Sequence, residues 1–177
     1  EAEGKLTGRP GVLFVTRGPG ATNATVGIHT AFQDSTPMVV FIGDVASSMR
    51  DREAFQEVDF RVFLGPSTQG FAKRVERIDD ARRMPEYVAR AFATAMNGRP
   101  GPVVLVLPED MLTQPVDARP LPRVAPVQYQ SEPQRLLHLR EQLLKSKQPL
   151  VIAGGPGWTP DAAQALQRFA EGWQLPV

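Results

Sequence analysis

An α/β fold is predicted, with a mostly parallel sheet carrying helices on both faces and the beginning of a second α/β domain behind it. Three observations support this. The apolar runs Val12–Val15, Met38–Ile42 and Pro102–Leu107 show no polar alternation, as expected of strands covered on both faces. Helical patterns with a single apolar stripe lie between those runs, which is the alternation of βαβ units. After a proline-dense stretch the same alternation starts again near Ser131.

Composition narrows the function before any motif is considered. Of 177 residues, 42% are hydrophobic and 22% charged, enough for a buried core and an ordinary polar surface. A formal net charge of +1, with no basic run interleaved with aromatics, argues against nucleic acid or an acidic membrane surface as partner. Cysteine is absent, which excludes disulfides and thiolate sites, and with two histidines, His29 and His138, a zinc site is not expected. No run is long enough to span a membrane and no signal-peptide pattern opens the chain, so a cytoplasmic location is expected.

Along the chain, Glu1 to Gly8 resembles the end of a helix stopped by Gly8. Because the chain opens on Glu1 and closes within an unfinished βαβ unit, it is expected to be a fragment of a longer protein. Val12–Val15 should lie inside the parallel sheet. It runs into Thr16–Asn23, a strand-to-helix corner in which Gly18 and Gly20 remove the Cβ atoms that would keep a ligand from the backbone. The amides at the following helix start suit an electron-rich ligand atom. Ala24, Ile28, Ala31 and Phe32 form the apolar stripe of that helix, which ends at Asp34–Pro37 because proline pushes its predecessor out of the α region. His29, on another face, has no sequence neighbour to orient it and is read as a bystander.

Met38–Ile42 is the second strand, closed by Gly43. Ligands on such sheets bind beyond the carboxyl ends of the strands. The irregular, charged stretch Asp44–Gly70 falls on that edge, with a short helix expected inside it and Phe55 and Phe60 around Gln56. Val75 and Ile78 suggest a short strand. A helix follows, opened by Pro85, striped by Val88, Ala91, Phe92 and Ala95 and ended by Gly98. Pro102–Leu107 is the next strand, stopped by Pro108-Glu109-Asp110.

Four prolines between Thr113 and Pro126 make a semi-rigid linker. Ser131 with Gln134 resembles a capping box opening a leucine-rich helix that runs to about Ser146. Leu150–Ala153 is expected as a strand before the turn Gly154-Gly155-Pro156-Gly157. Thr159 and Pro160 then open a helix striped by Ala162, Leu166, Phe169, Ala170 and Trp173, and Leu175–Val177 begins another strand.

Several motifs, in order, carry a resemblance: Gly8-Arg9-Pro10-Gly11-Val12, Gly18-Pro19-Gly20-Ala21-Thr22-Asn23, Asp34-Ser35-Thr36-Pro37, Ala54-Phe55-Gln56-Glu57, Gly98-Arg99-Pro100-Gly101-Pro102-Val103 and Leu107-Pro108-Glu109-Asp110. Their order and spacing over residues 4–112 resemble thiamine diphosphate-dependent enzymes of the acetolactate synthase, benzoylformate decarboxylase and pyruvate oxidase type. The resemblance implies that residues 1–113 are most of a pyrimidine-binding domain lacking its first elements. Residues 114–130 would be a linker and 131–177 the truncated start of a middle domain.

It further implies thiamine diphosphate with Mg²⁺ in the parent enzyme, a 2-oxo acid substrate, and a homodimer or homotetramer assembled through the pyrimidine-binding domain. In the family a glutamate beside the pyrimidine N1′ favours the imino tautomer, and the cofactor accepts the electrons released on decarboxylation. That glutamate belongs upstream of Gly8, and neither Glu1 nor Glu3 matches it. The segment that binds magnesium and diphosphate is not matched either. No catalytic residue and no metal ligand is therefore assigned, and the chain alone is expected to be inactive. Gly18, Pro19, Gly20 and Asn23 match the family's loop beside the pyrimidine. Phe55 and Gln56 match its substrate side, and Met49 is a further candidate for that wall.

The chain departs from acetolactate synthases at Gly43-Asp44-Val45 in place of Gly-Gln-Val. Ala46 and Ser48 replace a proline and an arginine, Thr68-Gln69 replaces Thr-Lys, and Arg17 replaces a small residue. A carboligase, decarboxylase or lyase is open on this basis, and so is FAD in the middle domain. Two other classes compete. One is a nucleotide (FAD or NAD) module using the 154–157 turn, although neither glycine turn has a phosphate-loop ending or a full GxGxxG. The other is a non-catalytic assembly domain.

Overall fold

The computed structural model describes residues 1–177, the side chain of Thr68 excepted. The chain divides into two compact units, Glu1–Pro126 and Val127–Val177. The first contains α1 (Ala2–Thr7), β1 (Gly11–Thr16), α2 (Arg17–Gln33), β2 (Met38–Asp44), α3 (Phe60–Leu64), β3 (Arg74–Arg77), α4 (Met84–Met96), β4 (Pro102–Pro108) and α5 (Glu109–Leu112). All strand pairs are parallel, in the order β1-β2-β4-β3. This is the expected α/β architecture.

The period-2 pleat separates two cores. Val40, Ile42, Val104 and Val106 face α2, through Ala21, Ile28 and Ala31, and α3, through Phe60 and Leu64. Val39, Phe41, Val103 and Leu105 face α4, through Ala91 and Ala95. Strands β2 and β4 are thus buried on both faces, which is why they read as unbroken apolar runs.

The amino-terminal edge of the sheet is held by cationic caps. Arg99 donates to the carbonyls of Phe32 (2.9 Å) and Gln33 (3.1 Å) and to Ser35 Oγ (2.8 Å), closing the C-terminal end of α2. Its guanidinium also lies over the Phe32 ring. Lys73 donates to Thr94 O and, at 2.8 Å, to Asn97 O at the end of α4. Both place positive charge where a helix dipole favours it. Partial burial pushes the Lys73 ammonium below its ordinary value.

One expectation fails in this unit. Strand β1 is an edge strand, not an interior one, and Val12 and Phe14 are 52% and 68% exposed. An apolar run reports that a segment is hydrophobic, and cannot report that α4 packs on β2 and β4 and leaves β1 uncovered on that face. Phe14 stacks on Phe41 at 4.5 Å and 8°, which shields part of one ring face. At the strand-to-helix corner α2 begins at Arg17, so Gly18, Pro19 and Gly20 form its first turn.

In the second unit, α6 (Pro133–Lys145) and α7 (Pro160–Trp173) form, the latter capped by Thr159 Oγ1 accepting from Ala162 N at 3.1 Å. The Ser131–Gln134 capping box does not form. Pro133 takes the first helical position, so Glu132 is the cap residue, and its side chain makes no cap bond. The strands expected at 150–153 and 175–177 are also not formed. Val151 N donates to Pro176 O at 2.9 Å, a single bond between the two segments, too few for a ladder. Gly155 and Gly157 take positive φ in the turn, as such glycines do.

Arg99→Met should lower the unfolding free energy of this chain by about 1–2 kcal/mol, because three bonds to one charged group are lost at a partly exposed site. Urea unfolding should show a lower midpoint at unchanged slope.

Candidate functional site

The carboxyl ends of β2, β3 and β4 open into a cleft of about 520 Å³. Its floor is Asp44, Arg77 and Val106, from the ends of those three strands, and its wall is the irregular segment 50–61. This is the edge where parallel α/β sheets bind ligands.

Asp44, the last residue of β2, and Arg77, the last of β3, form an ion pair across β4 (Arg77 Nε to Asp44 Oδ2, 3.1 Å), each side chain only 9% exposed. Arg77 also donates to Asp79 Oδ1 and, at 3.2 Å, to Ser47 Oγ. Asp44 Oδ1 accepts from Val45 N at 2.9 Å. Ser47 N in turn donates to Asp110 Oδ1 at 2.9 Å, and this backbone bond holds the Asp110 carboxyl below the usual carboxylate range. The ends of three strands are therefore cross-linked by one polar network, and Arg77 is matched by acceptors on several sides.

The wall has a different origin. Asp51, Glu53 and Gln56 all sit at positive φ (61°, 53° and 66°), an unfavourable region for residues with a Cβ. The Glu57 carboxylate accepts from Asp51 N (2.7 Å) and Ala54 N (3.0 Å), so one side chain closes the turn on itself. Those backbone bonds, Asp51 first, hold its carboxyl below the ordinary glutamate value.

This wall is pinned to α2 through Gly18. Its N–H donates to Gln56 O at 3.1 Å. A Cβ at Gly18 would lie 2.9 Å from Val58 Cγ2 and 3.2 Å from Gln56 O. Glycine is required there for close approach of protein to protein, not for a positive φ. Gly20 is similarly pressed against Val15, 3.2 Å from its Cβ. Arg17 braces the same turn through Glu109 at 2.8 Å.

Of the residues singled out in the sequence, Gln56 lines the cleft, and Gly18 meets it through the backbone. Pro19 and Gly20 share the first turn of α2 with Gly18. Asn23 is exposed on α2 and does not line the cleft; Met49 (46% exposed) and Phe55 (78%) do not line it either. His29 stacks on the Phe71 ring at 4.4 Å, consistent with a bystander. In the sequence Asp44 stands out only as a departure from the family pattern, and nothing local points to Arg77 or Glu57. The available signal was an acid closing an otherwise apolar strand. Its partner, 33 residues away, left no local trace.

Among the described residues there is no group of three or more acidic or histidine side chains that could hold a metal ion. No helix among them is long and apolar enough to cross a membrane.

The chain is also similar to known proteins. Residues 1–62 match the family model described as thiamine pyrophosphate enzyme, N-terminal TPP binding domain. Over its whole length the chain is 38% identical to the acetolactate synthase large subunit of Lactococcus lactis, covering 31% of that protein. It is 37% identical to the acetolactate synthase isozyme 3 large subunit of Escherichia coli, with 98% of the chain aligned to 30% of the relative. A mitochondrial acetolactate synthase of Schizosaccharomyces pombe is 36% identical over 100% of the chain and 28% of that protein. The chain thus spans about a third of the length of the curated relatives it matches.

Arg77→Met should destabilise the chain by about 3 kcal/mol, because it strands a buried carboxylate. Adding Asp44→Asn should restore most of the loss in thermal or urea unfolding, and equal losses in the single and double variants would refute the pairing. The depressed Glu57 pKa means its contribution to loop order is complete above the ordinary glutamate value and is lost as pH falls through the lower folded value. Amide exchange at Asp51 and Ala54, referenced to intrinsic rates, should lose protection over that acidic window while exchange in β4 does not.

Proposed function

We propose that this chain, whose residues 1–62 belong to the thiamine pyrophosphate enzyme family through its N-terminal TPP binding domain, supplies the pyrimidine side of a thiamine diphosphate site in an acetolactate synthase-like enzyme acting on 2-oxo acids. The supporting observation is one of position. The family match ends at residue 62, and within it lie both parts that build the cleft wall, the α2 start and the 50–61 segment.

The cleft suits an aminopyrimidine. Its volume is within the range of small-molecule sites, and Val58, Phe60 and Val106 offer apolar packing. When bound, thiamine diphosphate would supply the electron sink that 2-oxo acid decarboxylation and carboligation require. Around it, this chain's residues bind and orient. Gln56 is the substrate-side polar group, and the Asp44–Arg77 pair keeps the floor rigid and close to neutral. The first turn of α2, through Gly18, Pro19 and Gly20, backs the wall. Asn23, Met49 and Phe55 are exposed, and in this reading they make their contacts once the facing wall is in place.

Residues 1–113 are accordingly proposed as the pyrimidine-binding domain, 114–130 as linker and 131–177 as the start of a middle domain. The diphosphate and its Mg²⁺ would be held by a facing domain in a homodimer or homotetramer, in the cytoplasm. Asp44 in place of glutamine at the floor supports a substrate preference distinct from that of the acetolactate synthases themselves.

The test is turnover of a panel of 2-oxo acids by the full-length protein containing this chain, with thiamine diphosphate and Mg²⁺. Cofactor-dependent turnover of at least one acid is expected, with none from the isolated 177-residue chain. Failure of the full-length protein to bind thiamine diphosphate would overturn the assignment.

A further inference from the structure

We propose that Glu57 is a positioning residue, whose carboxylate holds the 51–57 turn in the shape that keeps Gln56 on the cleft. The inference rests on the reading of Gln56 as the substrate-side group, and it adds a residue to which nothing yet assigns a role.

The argument begins with the backbone. Residues 51, 53 and 56 all occupy left-handed conformations with non-glycine side chains, and such conformations persist only where their surroundings over-determine them. Two restraints do so here. At Gln56 itself, the carbonyl is held by the Gly18 amide at 3.1 Å, in a space too tight for a Cβ. At the other end, Glu57 accepts from Asp51 and Ala54, and its own N–H donates to Ala54 O at 3.0 Å. Gln56 lies between these restraints, adjacent to Glu57 and two residues from Ala54. Its side chain makes no hydrogen bond to another described residue, which leaves the carboxamide available to a ligand in the cleft.

The two acceptor bonds depend on charge. An ionised carboxylate is acceptor-only and can serve both amides at once, whereas a carboxamide at the same position has one acceptor oxygen. Glu57→Gln should therefore keep one of the two bonds and Glu57→Ala neither. With Glu57 gone, the turn can relax from its left-handed conformations, and Gln56 leaves the cleft while the sheet and the Asp44–Arg77 floor remain.

The experiment measures amide exchange and steady-state kinetics in the full-length protein for Glu57→Ala, Glu57→Gln and Gln56→Ala. Protection of the Asp51 and Ala54 amides should fall roughly tenfold or more in Glu57→Ala, since each bond to the charged group is lost. KM for the 2-oxo acid should rise about tenfold in Glu57→Ala, approaching the effect of Gln56→Ala, with thiamine diphosphate affinity unchanged. Glu57→Gln should fall between Glu57→Ala and the wild type on both readouts. A Glu57→Ala protein with an opened turn and unchanged KM, against a raised KM in Gln56→Ala, would overturn the proposal while leaving the function intact. Unchanged protection of both amides would overturn it as well. A wild-type protein that binds no thiamine diphosphate and turns over no 2-oxo acid would instead overturn the functional reading, and this inference with it.

Discussion

The cleft depends on the contact between the Gly18 amide and the Gln56 carbonyl. A helix start normally offers its free amides to solvent or to a ligand. Here the Gly18 amide is used by the protein to hold a loop, and the missing Cβ lets that loop lie within 3 Å of where a side chain would begin. Widening this contact would move segment 50–61 away from the sheet, and the cleft would lose its wall. The glycines of the Gly18-Pro19-Gly20 turn are thus required by packing inside the protein, one step before any ligand is considered.

The floor uses a different kind of force. Parallel strands have hydrogen-bond partners along their length, but their carboxyl ends are left to side chains. Asp44, Arg77, Ser47 and Asp110 join the ends of β2, β3 and β4 in one network. A buried ion pair of this sort adds little net stability compared with an apolar replacement, because both charges must be desolvated. Its value lies in geometry: breaking it strands a charge, so the strand ends are held in one arrangement. At the opposite edge of the sheet, Arg99 and Lys73 cap helix C-termini with positive charge. The two edges are therefore secured by charged groups, and the apolar layers between them need only pack.

Much of the first unit was legible in the sequence. Strands β2 and β4 were recognisable as unbroken apolar runs because they are covered on both faces. The ends of α1 and α2 were marked by Gly8 and by Asp34–Pro37, and in the second unit the start of α7 by Thr159 and Pro160, each a local steric or capping signal. The failures had two causes. The exposure of Val12 and Phe14, the absence of strands at 150–153 and 175–177, and the replacement of a Ser131 cap by Pro133 depend on what neighbours a segment or on competition between adjacent signals. Periodicity within the segment does not contain that information.

The sequence by itself determined the α/β class, the order of the elements, the family resemblance and Gln56 as a candidate, because these rest on local spacing along the chain. Tertiary structure alone decided that Gly18 serves a loop, that Asp44 is paired with Arg77, and that Glu57 closes a turn of left-handed residues onto the cleft. Each of these is a contact set by how the chain returns upon itself. Hydrogen bonds and ion pairs act over a few ångströms of space, and separation along the sequence does not measure that distance.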